Sequence, residues 1–229
     1  MNMTRRRVLE SFAALALASA AGSAPAAPSS VAQARALVDN ARETIADLAA
    51  DKDFSGLRTS LAGARAVLVF PRVFSAGLVI GGAGGNGVLM VRNEHTGEWN
   101  GPVFYTLGGA SVGLQAGAFN GSVAMVVRSE KTLDSLYKTS LKLGGDATFA
   151  LGTKGGSAAG AAGADVIVYS KVKGAFAGVT VDGIVLKVRR SLNKAYYDKA
   201  LSPAEMVLAP AGATPSADGL RQALRLAAG

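Results

Sequence analysis

Sliding the chain along itself by 36 residues superposes Gly77, Gly81, Gly85 and Arg92 on Gly113, Gly117, Gly121 and Arg128, with apolar residues matching between them. A repeat of this kind constrains the fold more than any single motif. A fainter third copy runs from Gly178 to Arg189 and again closes an apolar run, Ile184-Val185-Leu186, with a basic residue. Each copy reads as strand, glycine turn, strand. The expectation is therefore three antiparallel hairpins in which Gly81, Gly117 and Gly178 are equivalent and, with Gly82, serve the turns. Glycine supplies 29 of the 229 residues and proline only 7, so the excess marks close backbone packing rather than a linker.

Other segments fill in around the repeat. From Ser30 the positions Val31, Ala34, Val38, Ala41, Ile45 and Leu48 recur at helical spacing, and Ser30 with Gln33 suggests a capping box. The charged residues of that helix sum to −1, which suits packing on a core better than lying on an anionic membrane. A short helical turn at Phe54, Leu57 and Leu61 precedes Ala66-Val67-Leu68-Val69-Phe70, an apolar run of strand length. Further strands are expected at Val103 to Leu107, Ala147 to Leu151 and Asp165 to Ser170, a turn at His95-Thr96-Gly97 and a helix from Glu130 to Tyr137. Ser202-Pro203-Ala204-Glu205 starts another short helix. The end of the chain, with Leu220, Leu224, Arg221 and Arg225, reads as a frayed end or a short basic amphipathic helix. The fold class is α+β: a glycine-rich antiparallel sheet of about ten strands in a closed or nearly closed barrel or sandwich, with an N-terminal amphipathic helix and short peripheral helices.

Residues 1–26 read as a cleavable leader, a basic start followed by an alanine-rich apolar stretch too short to span a bilayer. Thr4-Arg5-Arg6-Arg7-Val8-Leu9 fits the twin-arginine pattern through Arg5 and Arg6, with the general secretory route as the alternative. Both routes lead to a periplasmic or secreted protein. Residues 30–208 form the domain and 209–229 a C-terminal loop and short tail helix. Without the leader, 21 basic and 15 acidic residues remain, a surplus that favours anionic partners such as phospholipid headgroups; outside the cytoplasm, nucleic acid is not an expected one.

Catalytic and cofactor motifs fail on context. Gly82-x-Gly84-x-x-Gly87 matches the dinucleotide fingerprint, but strand-like Val88-Leu89-Met90-Val91 follows where a helix is required. Gly152-Thr153-Lys154-Gly155-Gly156 lacks phosphate-loop spacing. His95 is the only histidine and sits in a polar turn, and there is no cysteine, so neither a nucleophile nor a metal site is expected. Asp146 and Asp165 read as turn caps. Basic residues at strand ends recur in the repeats, Arg72, Arg92, Arg128, Lys171, Lys173 and Arg189, and read either as a shared binding rim or as charges guarding a sheet edge.

Val69-Phe70-Pro71, Ala76-Gly77, Gly81-Gly82, Gly87-Val88, Trp99, Pro102, Gly108-Gly109 and Gly113-Leu114-Gln115-x-Gly117 follow one another in a familiar order. Leu143-Gly144-x-Asp146, Tyr169-Ser170-x-x-Lys173-Gly174-x-Phe176-x-Gly178-Val179 and Tyr196-Tyr197 complete it. Over Ala32 to Leu208 the chain resembles the SYLF domain, also called the Ysc84 actin-binding domain. The resemblance implies a lipid-binding domain without enzyme activity, whose eukaryotic members bind phosphoinositides and, in fungi, actin filaments. It carries over to Lys173 and the Gly144-Gly145-Asp146 turn. The leader argues against actin. The expectation is a non-catalytic, cofactor-free protein that binds anionic phospholipid peripherally through Arg72, Arg92, Arg128, Lys171 and Lys173. A scaffold for another envelope protein is the alternative, and an outer-membrane β-barrel the third.

Overall fold

The computed structural model describes residues 29–77, 80–112, 117–138, 140–152, 163–173, 183–209 and 214–229. The leader with Arg5 and Arg6, and the repeat positions Gly113 and Gly178, lie outside these residues. The chain opens with α1 (Ser30–Ala50), a 3-10 turn at Lys52–Phe54 and α2 (Gly56–Ala62). Then come β1 (Ala66–Gly77), β2 (Ile80–Arg92), β3 (Trp99–Val112) and β4 (Gly117–Val127). After α3 (Glu130–Tyr137) follow β5 (Ser140–Lys142), β6 (Phe149–Leu151), β7 (Val166–Lys173) and β8 (Val185–Val188). The chain finishes with α4 (Arg190–Tyr197), α5 (Pro203–Leu208), a 3-10 turn at Pro215–Ala217 and α6 (Asp218–Ala228).

Among the described residues eight strands form one sheet in the order β5-β8-β3-β2-β1-β4-β7-β6, curled into a half-barrel. Every pairing is antiparallel except β6 with β7, so the sheet is mixed, where an all-antiparallel one was expected. The first four strands make a Greek key, with β4 returning to lie beside β1.

This arrangement revises the hairpin reading of the repeat. β3 and β4 do not pair, so the second copy is not a hairpin, and Gly81, Gly82 and Gly117 lie within strands rather than turns. Instead, β2 and β4 flank β1 in the same register. Ala66 faces Val91 on one side and Val127 on the other, Val73 faces Gly85 and Gly121, and Gly77 faces Gly81 and Gly117. Each pair of neighbours is separated by the 36 residues of the repeat. The periodicity therefore records two strands that must fit one central strand identically. The third copy does not join them, because β8 lies between β3 and β5.

β1 is buried on both faces, which explains its unbroken apolar run. Val67 and Val69 join a first core layer with Val88, Met90, Ala124, Val126 and Tyr169 beneath α1, α2, α4 and α6. Ala66, Leu68, Phe70 and Val73 join a second layer with Leu89, Tyr105, Met125 and Val168, covered by Leu136 of α3 and Met206 and Val207 of α5. Pro71, which cannot donate to the ladder, sits where the register slips on both sides. Glycine is needed opposite that bulge: a Cβ on Gly87 would overlap the Phe70 ring, and one on Gly85 would lie 2.7 Å from the Arg72 carbonyl. Helices cover the buried layers on both faces of the open sheet.

The helices follow their sequence signals with small corrections. Ser29, not Ser30, caps α1, accepting from the Ala32 amide at 3.2 Å, and Ser30 is the first helical residue. The α1 face of Ala34, Val38, Ala41, Ile45 and Leu48 is buried. α3 spans the expected residues, and Ser202 and Glu205 form the capping box of α5. The end of the chain is a helix packed on α1 and α2, with Leu220, Leu224 and Arg221 buried. The Arg221 guanidinium is 3% exposed and donates to the carbonyls of Trp99 (3.1 Å), Gly101 (2.8 Å) and Thr214 (3.0 Å), to the Thr214 hydroxyl and to Asp218 (2.6 Å). Asn193 of α4 works similarly at the edge of β3: its side chain accepts from the Phe104 amide at 2.8 Å and donates to the Phe104 carbonyl at 3.1 Å. The Tyr196 ring packs edge-on against Phe104, and the Tyr197 hydroxyl donates to the Pro102 carbonyl.

Candidate functional site

The five basic residues proposed as one rim occupy two regions. Arg92 and Arg128 directly follow Val91 and Val127, the two partners of Ala66 at one end of β1. Arg72 lies six residues further along β1, level with Lys171 across β4. Lys173 ends β7 opposite Asn120, and its side chain is outside the described part of the structure. The shared rim is therefore not formed.

Nor are the cations equally available. The Arg92 guanidinium donates to the carbonyls of Ala62 and Gly97, joining α2 to the β2–β3 turn. Lys171 reaches across to α1, where its ammonium lies 3.0 Å from carboxylate oxygens of both Asp47 and Asp51. Asp51 and Asp47 hold the Lys171 pKa above its usual value. Lys171 thus clasps α1 to the sheet. Arg128 is exposed, and its backbone amide donates to the Asp165 carbonyl at 2.8 Å.

Arg72 is exposed and forms no ion pair among the described residues. It opens onto a cleft of about 540 Å³ between α1 and the sheet, lined also by Asn40, Glu43, Asp47, Asn120 and Lys171. Two residues on, Phe74 occupies the same face of β1, because alternation resumes after the bulge with Val73 buried between them. Phe74 is 63% exposed, and one side of its ring lies over Gly84, where a Cβ would come within 2.8 Å. An exposed cation and an exposed aromatic side chain thus stand together on a surface of small and polar residues. The basic-residue pattern did not single out Phe74. Counting alternation from buried Val73 would have turned it outward.

The expected turn residues divide. Gly144 adopts φ +83°, which favours glycine, and Asp146 closes its turn by accepting from the Lys142 amide at 2.8 Å. Asp165 accepts from the amide and hydroxyl of Thr148, and bonds to Thr148 and Ser129 hold its pKa below the usual carboxylate value. His95 lies in an exposed turn, its amide donating to the Asn93 side chain. Gly82, Gly84 and Gly87 are all within β2, so no helix opens at the fingerprint-like glycines. Among the described residues no three carboxylates or histidines converge to hold a metal ion, and no helix is long and apolar enough to cross a membrane.

The described structure is thus a curled sheet roofed by helices, with a cation and an aromatic ring on an open face. The profile of a family described as Ysc84, Las17-binding protein actin regulator, matches residues 108–227, and the chain belongs to that family. An SH3 domain-containing protein of Schizosaccharomyces pombe is 30% identical over 69% of this chain and 38% of its own length. Protein YSC84 of Saccharomyces cerevisiae is 31% identical over 66% of this chain and 34% of its own. SH3 domain-containing YSC84-like protein 1 of Homo sapiens is 29% identical over 55% and 38%. The chain thus spans little more than a third of these relatives. No solved structure matches the chain.

Proposed function

We propose that this chain is a non-catalytic, peripheral binder of anionic phospholipid surfaces, acting outside the cytoplasm, where the leader read in residues 1–26 would deliver it as a periplasmic or secreted protein. The observation that carries the reading is the pairing of exposed Arg72 with 63% exposed Phe74 on one face of β1. A cation attracts anionic headgroups and an adjacent aromatic ring enters the headgroup layer, the combination by which interfacial proteins hold a membrane without spanning it. Lys171 contributes less than its charge suggests, since Asp47 and Asp51 neutralise it locally. The binding is therefore reversible. In flotation at low salt the protein is expected to rise with phosphatidylglycerol or cardiolipin vesicles and to ignore phosphatidylcholine. A second reading, a protein partner on the same face, is favoured by the name of a further relative, LAS seventeen-binding protein 3 of Saccharomyces cerevisiae. Failure to float with any anionic vesicle would reject the lipid reading and leave the protein-partner one.

A further inference from the structure

The cleft between α1 and the sheet holds more polar chemistry than an anionic headgroup uses. Asn40, Glu43 and Asp47 follow one another at three- and four-residue spacing on α1 and so share one face of the helix. Arg72 of β1, Asn120 and Ser122 of β4 and Lys171 of β7 meet them from the sheet. Asn120 and Ser122 stand two residues apart and Ser122 is paired with Lys171, so the three share the face turned to α1. The two carboxylates and the two cations cancel in charge. Lys171 is already held by Asp47 and Asp51, and Glu43 lies 3.5 Å from Arg42. The side chains of Asn40, Arg72, Asn120 and Ser122, by contrast, make no hydrogen bond among the described residues.

These four side chains select a ligand. A multiply charged anion would meet Glu43 and Asp47, and among the described residues no three carboxylates or histidines converge on a metal ion. An apolar body would strand the four polar side chains. An uncharged molecule rich in groups that both donate and accept satisfies them: each amide offers two donors and an acceptor, the hydroxyl one of each kind, and the guanidinium a planar fork of donors. Neighbouring hydroxyls of a sugar match such planar groups with paired hydrogen bonds. A pyranose with equatorial substituents also turns an apolar C–H face outward. Phe74, 63% exposed and the cross-strand neighbour of Asn120, places an aromatic ring beside the polar groups to receive that face. The cleft, of about 540 Å³, lies within the roughly 300–1,000 Å³ of small-molecule sites.

We propose that this cleft binds a neutral oligosaccharide of equatorially substituted pyranose rings. One ring is hydrogen-bonded by Asn40, Arg72, Asn120 and Ser122, and the next rests on Phe74. The inference goes beyond the vesicle-binding reading and does not depend on it: the two share Arg72 and Phe74, but sugar binding is measured without lipid.

Isothermal titration of the whole chain with cellotetraose and with tetra-N-acetylchitotetraose, both equatorially substituted throughout, tests the site. One saturable site is expected for at least one of them, at least tenfold stronger than for sorbitol, an open-chain polyol without a ring face, or for alanine, a zwitterion suited to the same charges. The double variant Asn40→Ala, Asn120→Ala should lose at least tenfold in affinity and Phe74→Ala severalfold, with unchanged melting temperatures. If the double variant misfolds, Asn120→Ala alone, at an exposed position, should still lose severalfold. In NMR spectra the side-chain amide resonances of Asn40 and Asn120 should shift during the titration, while that of Asn193, buried against Phe104, stays in place. Absence of saturable binding to both tetrasaccharides, equal affinity for sorbitol or alanine, unmoved Asn40 and Asn120 resonances, or undiminished binding by folded variants would overturn the proposal. Vesicle flotation without sugar binding would leave the lipid reading standing and remove this one; sugar binding without flotation would do the reverse.

Discussion

Phe74→Ala is expected to weaken vesicle binding far more than Arg72→Gln, and the structure sets the ratio. A phenylalanine side chain presents about 200 Å². With Phe74 63% exposed, about 130 Å² remains to be buried, or about 3 kcal/mol at ~25 cal/mol per Å². That corresponds to about a hundredfold in partition. Arg72 contributes about 1 kcal/mol near an anionic surface, about fivefold. The two contributions also differ in their response to salt. The Debye length shrinks from about 10 Å at 0.1 M to about 3 Å at 1 M, so the Arg72 effect should vanish at high salt while the Phe74 effect persists. Co-sedimentation with sucrose-loaded phosphatidylglycerol vesicles at both salt concentrations measures both, with circular dichroism confirming that each variant is folded. If Phe74→Ala partitions like the parent, or if Arg72→Gln is the more damaging change, insertion of the ring is wrong and the interaction is purely electrostatic.

The remaining predictions concern the supports of the fold. Arg221→Leu removes the guanidinium from the carbonyls of Trp99, Gly101 and Thr214, of which Gly101 keeps the Thr214 hydroxyl and Thr214 the Ala217 amide, and should cost about 2–3 kcal/mol in urea denaturation; a loss below about 1 kcal/mol would show that water replaces the guanidinium. Asn193→Leu leaves the outward amide of Phe104 without its partner, while the Phe104 carbonyl keeps the Arg189 amide, so about 1–3 kcal/mol should be lost together with the hydrogen-exchange protection of the Phe104 amide; retained protection would contradict this. Asp165 has a depressed folded pKa, so it contributes stability above its unfolded value of about 3.9, lost as pH falls through the folded value. The stability gap between the parent and Asp165→Asn should therefore narrow under acid, and a gap constant with pH would refute the assignment.

What could be read from the sequence was whatever depends on neighbours along the chain. The apolar run Ala66 to Phe70, the limits of α3 and the Ser202 capping box all rest on local spacing, and the structure has them. The cap of α1 moved by one residue because Ser29 and Ser30 are both competent and only the path of the chain selects between them. The 36-residue repeat was visible, but a repeat reports similar strands without naming their partners. Thus two neighbours of β1 were read as two hairpins. Arg92 and Lys171 looked like free basic residues, because the carbonyls and carboxylates that engage them come from α2 and α1, far away in sequence. Arg221 and Asn193 carried no signal, since each satisfies backbone groups about 90 to 120 residues distant.

The Greek key separates the stretch most recognisable in this family from the unit able to fold. The matched segment begins at residue 108, inside β3, and contains neither β1 nor β2. Taken alone it would hold β4, β7 and β6 as one ladder and β5 with β8 as another, with β1 and β2 of the three bridging strands missing and β3 cut short. Such a fragment would expose an edge of β4 normally sealed by β1, inviting intermolecular pairing. Truncation studies on this chain should therefore start ahead of Ala66, and an insoluble product from residue 108 onward would reflect a severed sheet rather than an unstable family domain.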